Sequence, residues 1–174
     1  ARRGRRNRDK GEERRSITLL DVGCAYGPFL QAAADAGVRV HGVDISCEAT
    51  RYVEEELGFT AQCADVSASH APDLGGPYDV VTMWYVIEHF QHLDRVLRRI
   101  ADVVKPGGIF SFSTPNAAGV SGKRDEREFY RLSPSDHFVV MSPTTAAAAL
   151  RRFGFHTRHV KITGHHPERF GTVG

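Results

Sequence analysis

A doubly wound α/β domain, with a mostly parallel sheet and helices on both faces, is the fold this 174-residue sequence predicts. Three observations carry that expectation. Short apolar runs alternate with segments of helical period from Ser16 onward, the order that builds βαβ units. Crossovers between parallel strands are right-handed, which winds helices onto both faces of one sheet. The length suits a single compact domain, large enough to bury roughly 68–70% of the surface an unfolded chain exposes. Hydrophobic residues at 41% and charged residues at 25% are ordinary for a soluble globular protein and exclude a disordered or fibrous chain.

Each element has its own signal. Residues 17–22 are a continuous apolar run ending at Gly23, as in a buried strand. Residues 28–36 are Ala-rich, start with Pro28 and stop at Gly37, the punctuation of a helix. A second strand is expected at 38–43, and Ser46 caps a helix to Leu57 with Ala49, Val53 and Leu57 on one face. A third strand is expected at 59–64, a polar Gly/Pro-rich loop at 66–77, and a nearly all-apolar fourth strand at 78–85. Leu93, Val96, Leu97, Ile100, Ala101 and Val104 recur at helical spacing. Lys105-Pro106-Gly107-Gly108 then breaks the helix before a fifth strand at 109–114. Residues 115–141 show no clear periodicity and carry a charged cluster at 123–131. Ser142-Pro143-Thr144 opens a last helix to Phe153, and 155–163 reads as a sixth strand.

Charge and cysteine content narrow the setting. Residues 1–15 hold seven Arg and Lys10 against Asp9, Glu12 and Glu13, so this tail is +5 and the body −3 within a net +2. The tail is read as a flexible basic arm and 16–174 as the domain. It has no aromatic residues for stacking, so nucleic acid is not the expected partner. No apolar run reaches a membrane span and no secretory signal precedes the domain. Cys24, Cys47 and Cys63 are an odd set without C-x-x-C spacing, which argues against a disulfide framework or structural zinc. A cytoplasmic location is expected.

In a doubly wound sheet, ligands sit beyond the carboxyl ends of the strands, where the strand order reverses. After the first strand, small residues at Gly23, Ala25 and Gly27 let a backbone turn approach a ligand, or simply make a tight strand-to-helix turn. The spacing is not G-x-G-x-x-G, which counts against a nicotinamide-dependent oxidoreductase. Asp44 lies 21 residues past Gly23, the separation that places an acid beside a ribose; the same residue could equally cap a helix. Asp65 follows the third strand, where a carboxylate can accept from an adenine amine and Ile45 and Val66 can flank the ring, or where it only satisfies a loop.

Taken together, Leu19-Leu20-Asp21-Val22-Gly23-Cys24-Ala25-Tyr26-Gly27, Val43-Asp44-Ile45, Ala64-Asp65, Tyr78-Asp79-Val80-Val81, Ile87-Glu88-His89 and Val104-Lys105-Pro106-Gly107-Gly108 resemble the successive motifs of class I S-adenosylmethionine-dependent methyltransferases. The similarity spans residues 16–163 and is closest to the small-molecule, quinone-biosynthesis-like branch, whose sheet is Rossmann-like. It implies S-adenosyl-L-methionine as cofactor and a small-molecule methyl acceptor, with oxygen, nitrogen and carbon acceptors all open. It also implies that Asp21, Gly23, Ala25 and Gly27 cradle the methionine end, Asp44 the ribose, and Asp65 with Val66 the adenine, whose ring Ile45 can also flank, with Trp84 or Tyr85 near the transferred methyl. Ala25 stands where the family usually has Gly.

An acceptor hydroxyl or amine needs a base, and His89 and His137 are the two candidates, each alternatively a structural histidine. Some quinone O-methyltransferases hold a divalent metal near this position, but Tyr85 replaces the further acid, and Glu88 with His89 alone make a poor site, so no metal is expected. His165-His166 is read as a surface pair. Phe129, Tyr130 and Phe138 offer apolar surface to an acceptor, while Lys123, Arg124, Arg127 and Arg131 either meet an anionic group or form a solvated face. Family helices that usually precede the first strand, and the usual last strand, are not found, so a fragment or minimal domain is expected. The alternative function is an inactive domain of the same fold serving as a binding module, its Arg-rich tail contacting nucleic acid or a partner.

Overall fold

The computed structural model describes residues 16–162. The basic tail and the His165-His166 pair lie outside them. The elements run β1 (Thr18–Val22), α1 (Pro28–Asp35), β2 (Arg39–Asp44), α2 (Cys47–Glu55), β3 (Thr60–Cys63), β4 (Tyr78–Trp84), a 3-10 turn (Ile87–His89), α3 (Leu93–Val103), β5 (Val104–Ser113), α4 (Val120–Arg124), α5 (Glu126–Arg131) and α6 (Pro143–Arg151). All five strands are parallel, in the order β3-β2-β1-β4-β5. The chain therefore builds outward from β1 through β2 to β3, then crosses back to the other side of β1. The reversal falls between β1 and β4, and the residues that follow these strands share one edge of the sheet.

Both faces of the sheet are covered, because successive strand residues point to opposite sides. Leu19 joins Leu30, Val40 and Val53 in the layer under α1 and α2. Leu20 and Val22 join Val81, Met83, Val96, Leu97 and Ile100 under α3 on the other face. The helical spacing of Val96, Leu97 and Ile100 is realised as full burial of one α3 face. Truncating any one of these to Ala would cost about 2–5 kcal/mol.

Four sequence expectations change in three dimensions. The Lys-Pro-Gly-Gly segment does not precede the fifth strand but lies within it: Val104 pairs with Tyr78 and Ile109 with Val80, so 105–108 bulge out of a continuous β5. Residues 115–141 are not one long loop, since α4, α5 and an Asn116–Met141 bridge occupy them. Helices of five and six residues are too short to display a period. The sixth strand is not formed over 155–162, where Phe155 packs beside Phe110 and residues 156–162 are all exposed. Lastly, Cys47 and Cys63 form a disulfide, with Cα atoms 4.8 Å apart, leaving Cys24 as the free, buried thiol among the described residues. The pairing of β2 with β3 brings together two cysteines whose spacing gave no sign of it.

Candidate active site

The turn after β1 is built by backbone bonds to the neighbouring strand. Gly23 and Cys24 both donate to Val43 O, at 2.7 and 3.2 Å, and Gly27 N donates to Cys24 O at 2.9 Å. Gly23, Ala25 and Gly27 all take positive φ. Two of these small residues serve packing. A Cβ at Gly23 would stand 2.3 Å from Val86 Cγ2, and one at Gly27 would stand 2.8 Å from Leu57 Cδ1. Ala25 is exposed at the tip, so its backbone and methyl group face the open rim.

Asp44 closes this turn from β2. Its Oδ2 accepts from Ala25 N and its Oδ1 from Ser46 N, both at 2.8 Å. It does not cap α2; Ser46 does, accepting from Ala49 N. Each carboxylate oxygen has more than one acceptor direction, so both can still receive ligand hydroxyls. Ile45 beside it is 74% exposed, a bare apolar side chain at the rim. Asp65 folds its own loop, Oδ1 accepting from Ser67 N at 2.8 Å and Ser67 Oγ at 2.7 Å, and these bonds hold its carboxyl below the usual range. Val66, expected to flank an adenine ring, is buried in the core instead, because the loop turns inward under α3.

Asp21 is the buried member of the set. Its Oδ1 accepts from Thr82 Oγ1 at 2.6 Å across the β1–β4 pairing. Burial pushes its carboxyl up to about 6, against the lowering effect of the Thr82 bond, with the nearby Asp44 charge adding to the rise. The Cys24 thiol is likewise pushed up to about 12 by burial and by the two carboxylates, which makes it an inert packing group.

Across the reversal point, Trp84 ends β4 with its ring edge-on to Phe29 at 5.1 Å, and Tyr85 adopts φ 58° with its N–H bonded to Ser113. Val86 then seats against Gly23, and the 3-10 turn follows. Here the fold brings His89 and His137 together, ring centroids 4.8 Å apart. Phe138 and Val139 donate their N–H groups to Glu88 O, tying the 134–139 segment to the turn. His89 Nδ1 lies 3.1 Å from Asp136 O and 3.2 Å from Asp136 Oδ2. Two acceptors at Nδ1 place the hydrogen there and leave Nε2 as the lone pair. Asp136 was not singled out from sequence, because 47 positions separate it from His89.

The metal expectation rested on two donors, and the fold supplies a third: Glu88, His89 and His137 offer ligand atoms within 4.8 Å of one another. Glu88 is buried, with Oε2 lacking a hydrogen-bond partner. One carboxylate and two imidazoles are suitable donors for a divalent cation.

Of the four basic residues between 123 and 131, Arg131 is taken up by a bidentate pair with Glu128 at 2.6 and 2.7 Å. Lys123, Arg124 and Arg127 are exposed. No helix among the described residues is long and apolar enough to cross a membrane.

Comparison with known proteins bears on the family and the fold. The methyltransferase-domain family profile matches residues 2–160. A ubiquinone biosynthesis O-methyltransferase of Burkholderia multivorans is 30% identical over 161 residues, covering 85% of this chain and 68% of the relative. A homologous enzyme of Burkholderia pseudomallei is 26% identical over 162 residues, with the same 68% of its length covered. In fold, the chain is similar to an S-adenosylmethionine-dependent methyltransferase of Mesorhizobium loti, with TM-score 0.64, 21% identity, and 84% and 77% of the two chains covered. This chain, with its parallel β3-β2-β1-β4-β5 sheet and its glycine-lined turn at the reversal point, belongs to the methyltransferase-domain family, among the class I S-adenosylmethionine-dependent methyltransferases.

Proposed function

We propose that this chain binds S-adenosyl-L-methionine along the carboxyl edge of β1, β2 and β3 and methylates a hydroxyl oxygen of a small acceptor, with release of one proton. The observation that carries the reading is the Asp44 carboxylate, bonded to the exposed Ala25 turn and set beside the bare Ile45 side chain. An exposed glycine-flanked turn, an acid with spare acceptor capacity and an uncovered apolar side chain are what a ribose and an adenine ring need. In this reading Asp21, Gly23, Ala25 and Gly27 shape the methionine end, Asp44 holds the ribose, and Ile45, Asp65 and the Val66 backbone meet the adenine. Trp84 and Tyr85 border the methyl. The cofactor, when bound, supplies a methyl group already activated on a cationic sulfur.

What the chain must then do is align an acceptor and take its proton. Alignment alone supplies up to ~7–11 kcal/mol of a barrier in well-oriented systems. His89 takes the proton at Nε2, because Asp136 holds Nδ1 as the donor. A positioned base of this kind typically contributes about 10²–10⁴-fold. His137, edge-on to His89, packs against it and is the second candidate base. The relatives that are O-methyltransferases favour oxygen as the acceptor atom.

In a second reading, favoured by the buried and unpartnered Glu88 Oε2, Glu88, His89 and His137 hold a divalent cation. A cation there would polarise the acceptor oxygen.

The deciding experiment is a calorimetric titration of the chain with S-adenosylhomocysteine beside Asp44→Ala. We expect binding to weaken by about 1.5–3 kcal/mol, the worth of a charge-assisted hydrogen bond. Because Asp44 also braces Ala25 and Ser46, the melting temperature should fall slightly as well. Equal affinities would remove Asp44 from the site, and no binding by the folded parent would overturn the reading.

A further inference from the structure

The disulfide joins the two loops on which the adenosine end of the proposed cofactor site rests. Cys47 is the first residue of α2, three positions past Asp44, and Cys63 ends β3, two positions before Asp65. In the β2–β3 pairing Cys63 lies opposite Asp44 itself. β3 is an edge strand of four residues, so one ladder and the bridge hold its end. The far side of the Asp65 loop is fastened separately, by Arg95 to Ser67 O at 2.8 Å and Arg99 to Ala68 O at 3.0 Å. The bridge is therefore the covalent fastening of the near side. Both cysteines are exposed, so a thiol in solution can reach them. Cys47 also sits in the first turn of α2, where the helix end favours the thiolate as leaving group.

We propose that Cys47 and Cys63 form a redox-sensitive latch: the disulfide holds the Asp44 and Asp65 loops in their binding arrangement, and reduction by a low-molecular-weight thiol loosens them and weakens cofactor binding. The proposal rests on the cofactor reading above. In the step itself a thiolate attacks Cys63 Sγ, the S–S bond breaks, and Cys47 leaves as thiolate. A second thiol then attacks the reagent sulfur of the mixed disulfide, releasing Cys63 and the reagent disulfide. Two electrons pass to the protein pair, two reagent thiols are oxidised, and their protons end on Cys47 and Cys63.

The test uses the full chain equilibrated in glutathione buffers of increasing reduced fraction. Free thiols are alkylated and counted by intact mass, and the oxidised and reduced forms are titrated with S-adenosylhomocysteine. Cys47→Ser/Cys63→Ser serves as the permanently open form. We expect the oxidised chain to show no native thiol and one, Cys24, after unfolding. We expect Cys47 and Cys63 to open reversibly in the folded protein. Kd should rise about three- to tenfold in both the reduced chain and the double variant, the loss expected when a preorganised loop must be ordered on binding. Equal Kd in all three forms overturns the latch, as does a bridge that never forms or one that glutathione cannot open. If the chain binds in no form, the cofactor reading falls and the latch with it, an outcome distinct from a bridge that opens without changing affinity.

Discussion

Gly23 shows how a single side chain, or its absence, sets the rim. Its φ of 77° is available to other residues only with strain, and a Cβ would meet Val86 Cγ2 at 2.3 Å. Val86 begins the segment that carries His89, so a side chain at position 23 pushes the turn holding the candidate base. Gly23→Ala should therefore lower stability by roughly 2–4 kcal/mol, from left-handed strain plus overpacking, read as a fall in melting temperature. A melting temperature within a degree of the parent would mean that Val86 moves aside freely. Asp21 is the other residue whose surroundings decide its behaviour. The family resemblance puts it in the methionine cradle, and the β1–β4 pairing buries it against Thr82. From sequence, Gly23 and Asp21 are legible as a turn glycine and an acid; what each touches is not, because Val86 and Thr82 are about 60 residues away in the chain.

At the scale of elements, the best-read segments carry their own start and stop signals. α6 is one: Ser142 accepts from Thr145 N at 3.1 Å, Thr145 Oγ1 accepts from Ser142 N at 2.8 Å, and Pro143 fills the first turn. Ser142→Ala should cost about 1 kcal/mol, seen as a lower denaturant midpoint with an unchanged slope. No loss would show that packing of Ala146 and Leu150 alone holds the helix. α3 is the other well-read element, its apolar stripe being wide enough to locate a core face without the fold. β5 and the 115–141 region read poorly for opposite reasons. The bulge in β5 is a pairing property, visible only opposite Tyr78 and Val80. α4 and α5 are too short to carry a pattern, although Asp125, accepting from Glu128 N at 2.9 Å, marks the start of α5.

For the whole molecule, stability against pH sums opposing groups. The Asp21 carboxyl is raised to about 6 from 3.8, so the folded state binds its proton more tightly than the unfolded chain. Its favourable contribution is complete below about 4 and is lost as pH rises to about 6, an effect on the order of 3 kcal/mol. Asp79 acts in reverse. At the opposite end of the sheet it accepts from Lys105 Nζ at 2.7 Å and from Thr18 N at 2.9 Å, which holds its carboxyl well below the usual range. That contribution is present above the unfolded carboxylate range and is lost as pH falls through the folded value. His41, lowered chiefly by burial, also favours the folded state as pH rises. The clean comparison is thus parent against Asp21→Asn: the parent should lose stability relative to the variant between pH 4 and pH 6. A difference that stays constant across that window would mean Asp21 is not buried as the fold has it.

Strand–helix alternation, the small-residue turn after β1 and the family are legible along the chain. These are local: apolar runs, caps, glycines and acids each announce themselves within a few residues. Folding is needed to see that Asp44 braces Ala25, that Val66 turns inward, that Asp136 and His137 converge on His89, and that Cys47 meets Cys63. The physical reason is common to all of them. The three contacts join residues 16 to 48 positions apart, and all four outcomes are fixed by strand register and by which way a loop folds over the sheet, neither of which is written in the spacing of one segment.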